Sequence, residues 1–240
     1  MSFMNTEGAT ADAATSATAR QRRKDARPQE LLDAALALFV EKGFAATRTD
    51  EVAQRAGVSK GTLYLYYPSK EELFKAVVRG SLSSLIAEGE GMAASFEGSS
   101  SELLRCLIQT WWERFGNTPA AGIHKIILAE VRNFPELAQF YTDEVIIPAD
   151  RLFVACVQRG IDSGEFRPMP VSEVATALMA PLIFMAVHRH SFGACPVHGA
   201  EIDPCTVLDT HLDLVLRGLE VREPAAGKAA NKPTKKAVRR

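Results

Sequence analysis

Apolar residues recur three and four positions apart along most of the chain, the period of an α-helix. Leu32, Ala35, Leu36 and Phe39 form one stripe behind Pro28, a residue suited to the first helical position. Gly43 is placed to end that helix, with Phe44 closing back onto Phe39 as in a Schellman stop. Val52, Ala53 and Ala56 mark a second, short helix that runs into Gly57, where a chain leaving a helix often needs positive φ. Leu63 and Tyr67, four apart, mark a third, stopped by Pro68, which disfavours helix at the residue before it. Leu73, Phe74, Val77, Val78, Leu82 and Leu85 then predict a longer helix over 71–87, with Gly89-Glu90-Gly91 expected to break it. Five more helical stretches follow at 102–115, 122–134, 135–163, 171–191 and 205–222. Pro148 and Pro181 lie inside two of them and predict kinks. Strand-like alternation is missing throughout, so the expected fold class is all-α.

The punctuation between the second and fourth helices carries the chemistry. Thr49 is a candidate N-cap, and Asp50 and Glu51 put negative charge at the positive end of the helix dipole. Ser59 is the next N-cap candidate. Two short helices about a glycine turn make a helix-turn-helix, whose second helix enters the DNA major groove. With Leu63 and Tyr67 inward, Lys60, Thr62, Tyr64 and Tyr66 are left for another surface. Thr62 and Tyr64 can bond base edges or phosphates, Lys60 supplies charge, and Gly61 lets the helix start approach a duplex closely. Ser69-Lys70-Glu71-Glu72 reads as a capping box. A lysine in a first helical turn opposes the dipole, so Lys70 reads either as a solvated side chain offset by Glu71 and Glu72 or as part of a phosphate site. Beside the two preceding helices, the phosphate reading is preferred.

These residues carry a family resemblance. Thr49, the run Ala56-Gly57-Val58-Ser59-Lys60-Gly61-Thr62-Leu63-Tyr64, Tyr67, and Ser69-Lys70-Glu71-Glu72-Leu73-Phe74 resemble the DNA-binding domain of tetracycline-repressor-like (TetR-family) transcriptional regulators. The match extends back to residues 36–44 and covers about residues 28–78. The resemblance implies DNA contacts at Thr49, Lys60, Thr62, Tyr64, Tyr66 and Lys70, and the close approach read above adds Gly61 to the expected contact set. Tyr66 stands where the family often has histidine, and its hydroxyl can still reach a phosphate. The resemblance also implies a homodimer built on the last two helices, a palindromic double-stranded DNA operator, and a small-molecule effector bound in the helical body.

Composition narrows the picture further. A chain of 240 residues, 47% apolar, has enough material for one or two cored domains. Its formal net charge of −1 means that DNA binding must rest on local charge. Cys106, Cys156, Cys195 and Cys205 are irregularly spaced and no signal peptide is read, so a reducing cytoplasm is expected. The longest apolar run, 174–187, is interrupted by Thr176 and Pro181 and fits a buried helix better than a membrane span. The expected organisation is a disordered basic arm (1–27), a DNA-binding domain (28–75), a ligand-binding and dimerisation domain (76–222) and a disordered basic tail (223–240). The basic residues at 20–24 and in the tail read as solubilising ends or as arms against phosphates.

For an effector pocket the candidate walls are Trp111, Trp112, Phe115, Ile127, Phe134, Phe153, Met179, Phe184 and Met185, with His188, Arg132 and Glu130 to orient a ligand. Each Trp or Met reads equally as plain core. Few charges among them favour a hydrophobic or aromatic ligand. Cys195, His198, Cys205, His188 and His190 match no standard metal pattern, and His188 and His190, two apart, cannot share a helix face. No nucleophile–base spacing, phosphate-binding glycine loop or H-E-x-x-H pattern is found, so no cofactor, metal or enzyme activity is expected. A nonspecific architectural DNA binder is the alternative reading.

Overall fold

The computed structural model describes residues 27–191 and 202–221. The basic cluster at 20–24, the stretch 192–201 with Cys195 and His198, and the tail from 222 onward lie outside the described residues. Among the described residues the chain is helical apart from one isolated antiparallel bridge, Phe166 with Glu220. The helices are α1 (27–42), α2 (Thr49–Arg55), α3 (Lys60–Tyr66), α4 (Lys70–Val78), α5 (Ser84–Ser95), α6 (Ser100–Trp111), α7 (Gly122–Glu130), α8 (Pro135–Tyr141), α9 (Ile147–Asp162), α10 (Val171–Ser191) and α11 (Pro204–Leu219).

The caps explain most of these boundaries. Gly43 (φ 83°) and Gly57 (φ 66°) adopt the left-handed conformation that suits glycine, and they end α1 and α2. Ser59 and Ser69 accept the backbone N–H groups of Thr62 and Glu72, starting α3 and α4. Ser99 and Glu102 form a full capping box on α6. Thr49 departs from expectation. Arg48 is the extended residue ahead of α2 and Thr49 already lies inside the helix, so its hydroxyl is free to pair with Tyr64 instead.

Two glycines expected to break a helix do not. Residues 70–95 form one unbroken rod, α4 and α5 joined through a π-helical turn at Arg79–Ser83. Hydroxyls soften that turn: Ser81 donates to the Val77 carbonyl and Ser84 to the Gly80 carbonyl. Gly89 is retained for packing, since a Cβ there would sit 2.9 Å from Leu152 and 3.3 Å from Leu107. The stretch expected at 135–163 is likewise continuous, as α8, a π-helical turn (Thr142–Ile146) and α9. Pro148 has no N–H for the Glu144 carbonyl. Ser83 of the rod donates to that carbonyl at 3.3 Å, while Arg79 grips the Glu144 carboxylate with two nitrogens.

Burial divides the interior into two cores. The first begins at Leu31, Phe39 and Phe44, takes in Leu63 and Phe74, and continues through Leu82 and Ile86 to Ile126, Phe140 and Val145. The stripe on α1 is rotated from the one expected: Leu31, Ala34, Ala35, Leu38 and Phe39 are buried, whereas Leu32 and Leu36 are only partly covered. The second core joins α6, α9, α10 and α11 through Leu104, Ile108, Val157, Leu178, Met185 and Leu212. Helices α1 to α3 thus share a core with α7 and α8, and both the rod and α7 connect that core to the second. Helix α10 is long and apolar enough by length and composition to cross a membrane, but it packs against α7, α9 and α11.

Candidate nucleic-acid interface and internal cavity

Helix α3 stands on Leu63, which is fully buried, and turns Lys60, Gly61, Tyr64 and Leu65 outward. Leu65 is 85% exposed, an apolar side chain offered to solvent that the sequence reading did not single out. The Lys60 ammonium sits 5.9 Å from the Tyr64 ring centre, and the Tyr64 hydroxyl is 2.9 Å from Thr49 Oγ1. Thr49, Lys60 and Tyr64 therefore form one connected surface. A Cβ at Gly61 would meet nothing nearer than Ser59 Oγ at 3.8 Å, so this chain's own packing does not demand the glycine. Thr62 lies partly covered with its hydroxyl 2.8 Å from Ser59 Oγ, at the cap. Tyr66 packs partly buried against the first core rather than standing free on the surface.

Lys70 answers the puzzle of a cation at a helix start differently from the sequence reading. Its ammonium donates to the carbonyls of Phe44 (2.8 Å), Ala45 (3.1 Å) and Thr47 (3.1 Å), and lies 4.5 Å from the Phe44 ring centre. Carbonyl oxygens of the α1–α2 turn, rather than an anion, balance the charge. A phosphate contact would require one of these bonds to open. The same turn is held from inside by Thr47, whose hydroxyl donates to the Gly43 carbonyl at 2.7 Å. It is held from α7 by Glu130, which accepts the Ala45 N–H at 3.2 Å.

A cavity of about 350 Å³ lies between the two cores. Leu82, Leu85, Ile86, Gly89 and Met92 of the rod form one wall, α6 and α7 a second, and α9 and α10 a third. Of the expected wall residues, Trp111, Ile127, Phe153 and Met179 line it. The others do not. Trp112, Phe115 and Met185 are buried in the cores, Phe134 packs edge-on against Phe44 at 4.8 Å, and Phe184 is 61% exposed. His188 lies against Phe184, with ring centres 5.9 Å apart, outside the cavity wall. Glu130 serves the α1–α2 turn and Arg132 is exposed, so neither orients a ligand there.

The polar wall residues are ones the sequence reading missed. His124 and Tyr141 are buried, with the tyrosine hydroxyl 2.7 Å from His124 Nδ1. Burial pushes the His124 imidazole down to about 4 and holds the Tyr141 phenol far above its ordinary value. Arg114 and Glu88 pair at another part of the wall, each about half exposed. The pair joins two consecutive helices, α7 and α8, and no local motif announces it. Among the described residues no group of three His, Cys, Asp or Glu side chains is placed to hold a metal.

An exposed recognition helix on a helical body with a largely apolar, partly open cavity defines a helix-turn-helix DNA-binding protein with room for a small molecule. Residues 31–77 match the model of the bacterial regulatory proteins of the tetR family, and residues 97–216 match the tetracyclin repressor-like C-terminal domain. The chain belongs to the tetR family. It is 29% identical over 197 residues to the HTH-type transcriptional repressor KstR2 of Rhodococcus jostii, covering 82% of this chain and 92% of that protein. The structure of the ketosteroid transcriptional regulator KstR2 of Mycobacterium tuberculosis superposes with a TM-score of 0.62 at 25% identity, covering 82% of this chain and 96% of the other. The regulator FadR of Bacillus subtilis, solved with stearoyl-CoA, shares the fold with a TM-score of 0.63 at 19% identity, covering 79% and 98%. Each of these relatives is named a regulator of transcription.

Proposed function

We propose that this protein is a homodimeric, effector-responsive transcriptional repressor acting in the cytoplasm on a palindromic operator. One observation carries the reading: the helix capped at Ser69, beside the recognition helix, is the same unbroken rod that walls the cavity from Leu82 to Met92. An effector that pushes on this wall acts directly on the element that seats the DNA-reading helices. It weakens operator binding by as much as its affinities for the two arrangements differ. The apolar wall supports a hydrophobic or aromatic effector, and the relative named a ketosteroid regulator agrees with that class.

Exposed apolar side chains on the last two helices support the dimer. Ile183 (40%) and Phe184 (61%) on α10 and Val207 (37%) and Leu214 (70%) on α11 lie open in the single chain. A palindromic operator requires a pairing that sets two recognition helices on successive major grooves, ~34–36 Å apart. Thr49, Lys60, Gly61 and Tyr64 form the proposed contact surface, with Thr62 and Tyr66 at its edge.

The test is selection of bound duplexes from random DNA, followed by mobility-shift assays and light scattering. A palindromic consensus, a dimer in solution and a loss of binding in Tyr64→Ala are expected. Enrichment of no sequence would favour the architectural reading and overturn this one.

A further inference from the structure

The cavity wall holds a polar atom with nothing to bond. His124 Nε2 is buried and has no hydrogen-bond partner. The ring around it is otherwise occupied. Trp111 stacks on the imidazole at 6.0 Å, Phe115 meets it edge-on at 5.3 Å, and Tyr141 takes Nδ1. His124 lines the cavity, but Nε2 itself has less than 1 Å² of accessible surface, so an effector oxygen reaches it only once the side chains around it part.

The tautomer follows from the partner. The Tyr141 side chain is 5% exposed, and its hydroxyl has one partner, His124 Nδ1. If that hydroxyl accepted a hydrogen bond from Nδ1–H, both its own hydrogen and a bare Nε2 would be buried unpaired, whereas a donating hydroxyl leaves only the Nε2–H unpaired. The tyrosine therefore donates to Nδ1, and the neutral imidazole carries its hydrogen on Nε2. A buried N–H without a partner is costly, so the position rewards whatever supplies an oxygen.

A carboxylate is a poor candidate for that oxygen. The one cation on the wall, Arg114, is already paired with Glu88. An unpaired anion among apolar walls is heavily penalised.

We propose that His124 Nε2–H, fixed by Tyr141, donates to a neutral carbonyl oxygen on the buried end of a hydrophobic effector. This rests on the reading of the cavity as the effector site. The geometry thus selects ketone- or ester-bearing apolar molecules over hydrocarbons and over acids of the same shape.

A matched set of probes tests it. Titration calorimetry on the full-length protein would compare 2-adamantanone, 2-methyleneadamantane (CH2 in place of the oxygen) and adamantane-2-carboxylate. The ketone should bind roughly tenfold more tightly than its methylene isostere. In His124→Phe that ratio should fall to about one. Nitrogen-15 spectra of the imidazole, which need no variant, should show a neutral ring protonated on Nε2. An unchanged ketone preference in His124→Phe, tightest binding by the carboxylate, or a proton on Nδ1 would each overturn the anchor while leaving the cavity as the effector site. Binding of none of the three probes to the wild-type protein would overturn the cavity reading itself, and the anchor with it.

Discussion

The DNA-reading end and the cavity end of this molecule are built by opposite means. The first is assembled from neighbours in sequence: Gly43, Gly57, Ser59 and Ser69 set its corners within about 30 residues, and Thr49 reaches Tyr64 across one turn. The cavity takes its walls from α5 through α10 and from the turns beside them. One end is a rigid local motif, and the other is a gap between two cores. The two ends are linked by the α4–α5 rod and also by α7 and α8, which pack on the α1–α2 turn and supply His124, Ile127 and Tyr141 to the cavity wall.

Where the two ends join, the largest effect is expected. Phe44 is fully buried and touches Phe39, Phe74 and Phe134, the residue that precedes α8. Phe44→Ala should lower stability by about 3–5 kcal/mol in denaturant titration. A loss under 1 kcal/mol would separate the ends more than the shared core implies.

The cavity end should also respond to acid. His124 titrates near 6.5 when unfolded and near 4 when folded, because burial penalises its charged form. Between those values the unfolded chain binds more protons, so stability is full above pH 6.5 and falls as pH drops toward 4. The His124 share of that loss is about 3 kcal/mol. Burial lowers His190 and His211 in the same direction. Tyr141, Arg114 and Glu88, the other titratable groups on the cavity wall, keep their charge states over most of that range. Stability-against-pH curves of His124→Phe should therefore be flatter than wild type, though not flat.

At the DNA-reading end two lysines should behave differently. Lys70→Met removes its bonds to the α1–α2 turn and should cost about 1–3 kcal/mol of stability. Operator binding should fall without a change in salt slope. Lys60→Ala should leave stability within about 0.5 kcal/mol and reduce the salt slope by about 1. A reduced slope in Lys70→Met would restore the phosphate role read from the sequence. The smallest effect is expected for Arg79→Ala. Its pair with Glu144 is half exposed, and its loss should cost under about 1 kcal/mol by thermal unfolding.

The contrast in construction also decides what could be read from sequence. The caps at Ser59 and Ser69, the glycine turns and the buried Leu63 are local and emerged at the expected residues. The α2 cap, however, fell at Arg48 instead of Thr49, and Glu72 pairs with Lys75 instead of closing a capping box. Gly89 misled because a glycine that admits Leu152 looks the same in sequence as one that ends a helix. The bonds of Lys70 to the α1–α2 turn were not legible because its carbonyl partners lie more than 20 residues upstream. Aromatic bulk identified Trp111 and Phe153 on the cavity wall but equally drew in Phe134 and Phe184, which face elsewhere. His124 and Tyr141, 17 residues apart on different helices, had no shared pattern to reveal them.

The central claim is that filling the gap between the cores moves the DNA-reading end. Ala149 lines the cavity from α9, so Ala149→Phe places a ring in the space without any effector. Operator affinity of this variant, measured on the selected duplex alongside its unfolding curve, tests the claim most directly. The account predicts at least roughly tenfold weaker binding, about 1.4 kcal/mol, with the fold retained. Wild-type affinity in a folded Ala149→Phe protein would contradict it.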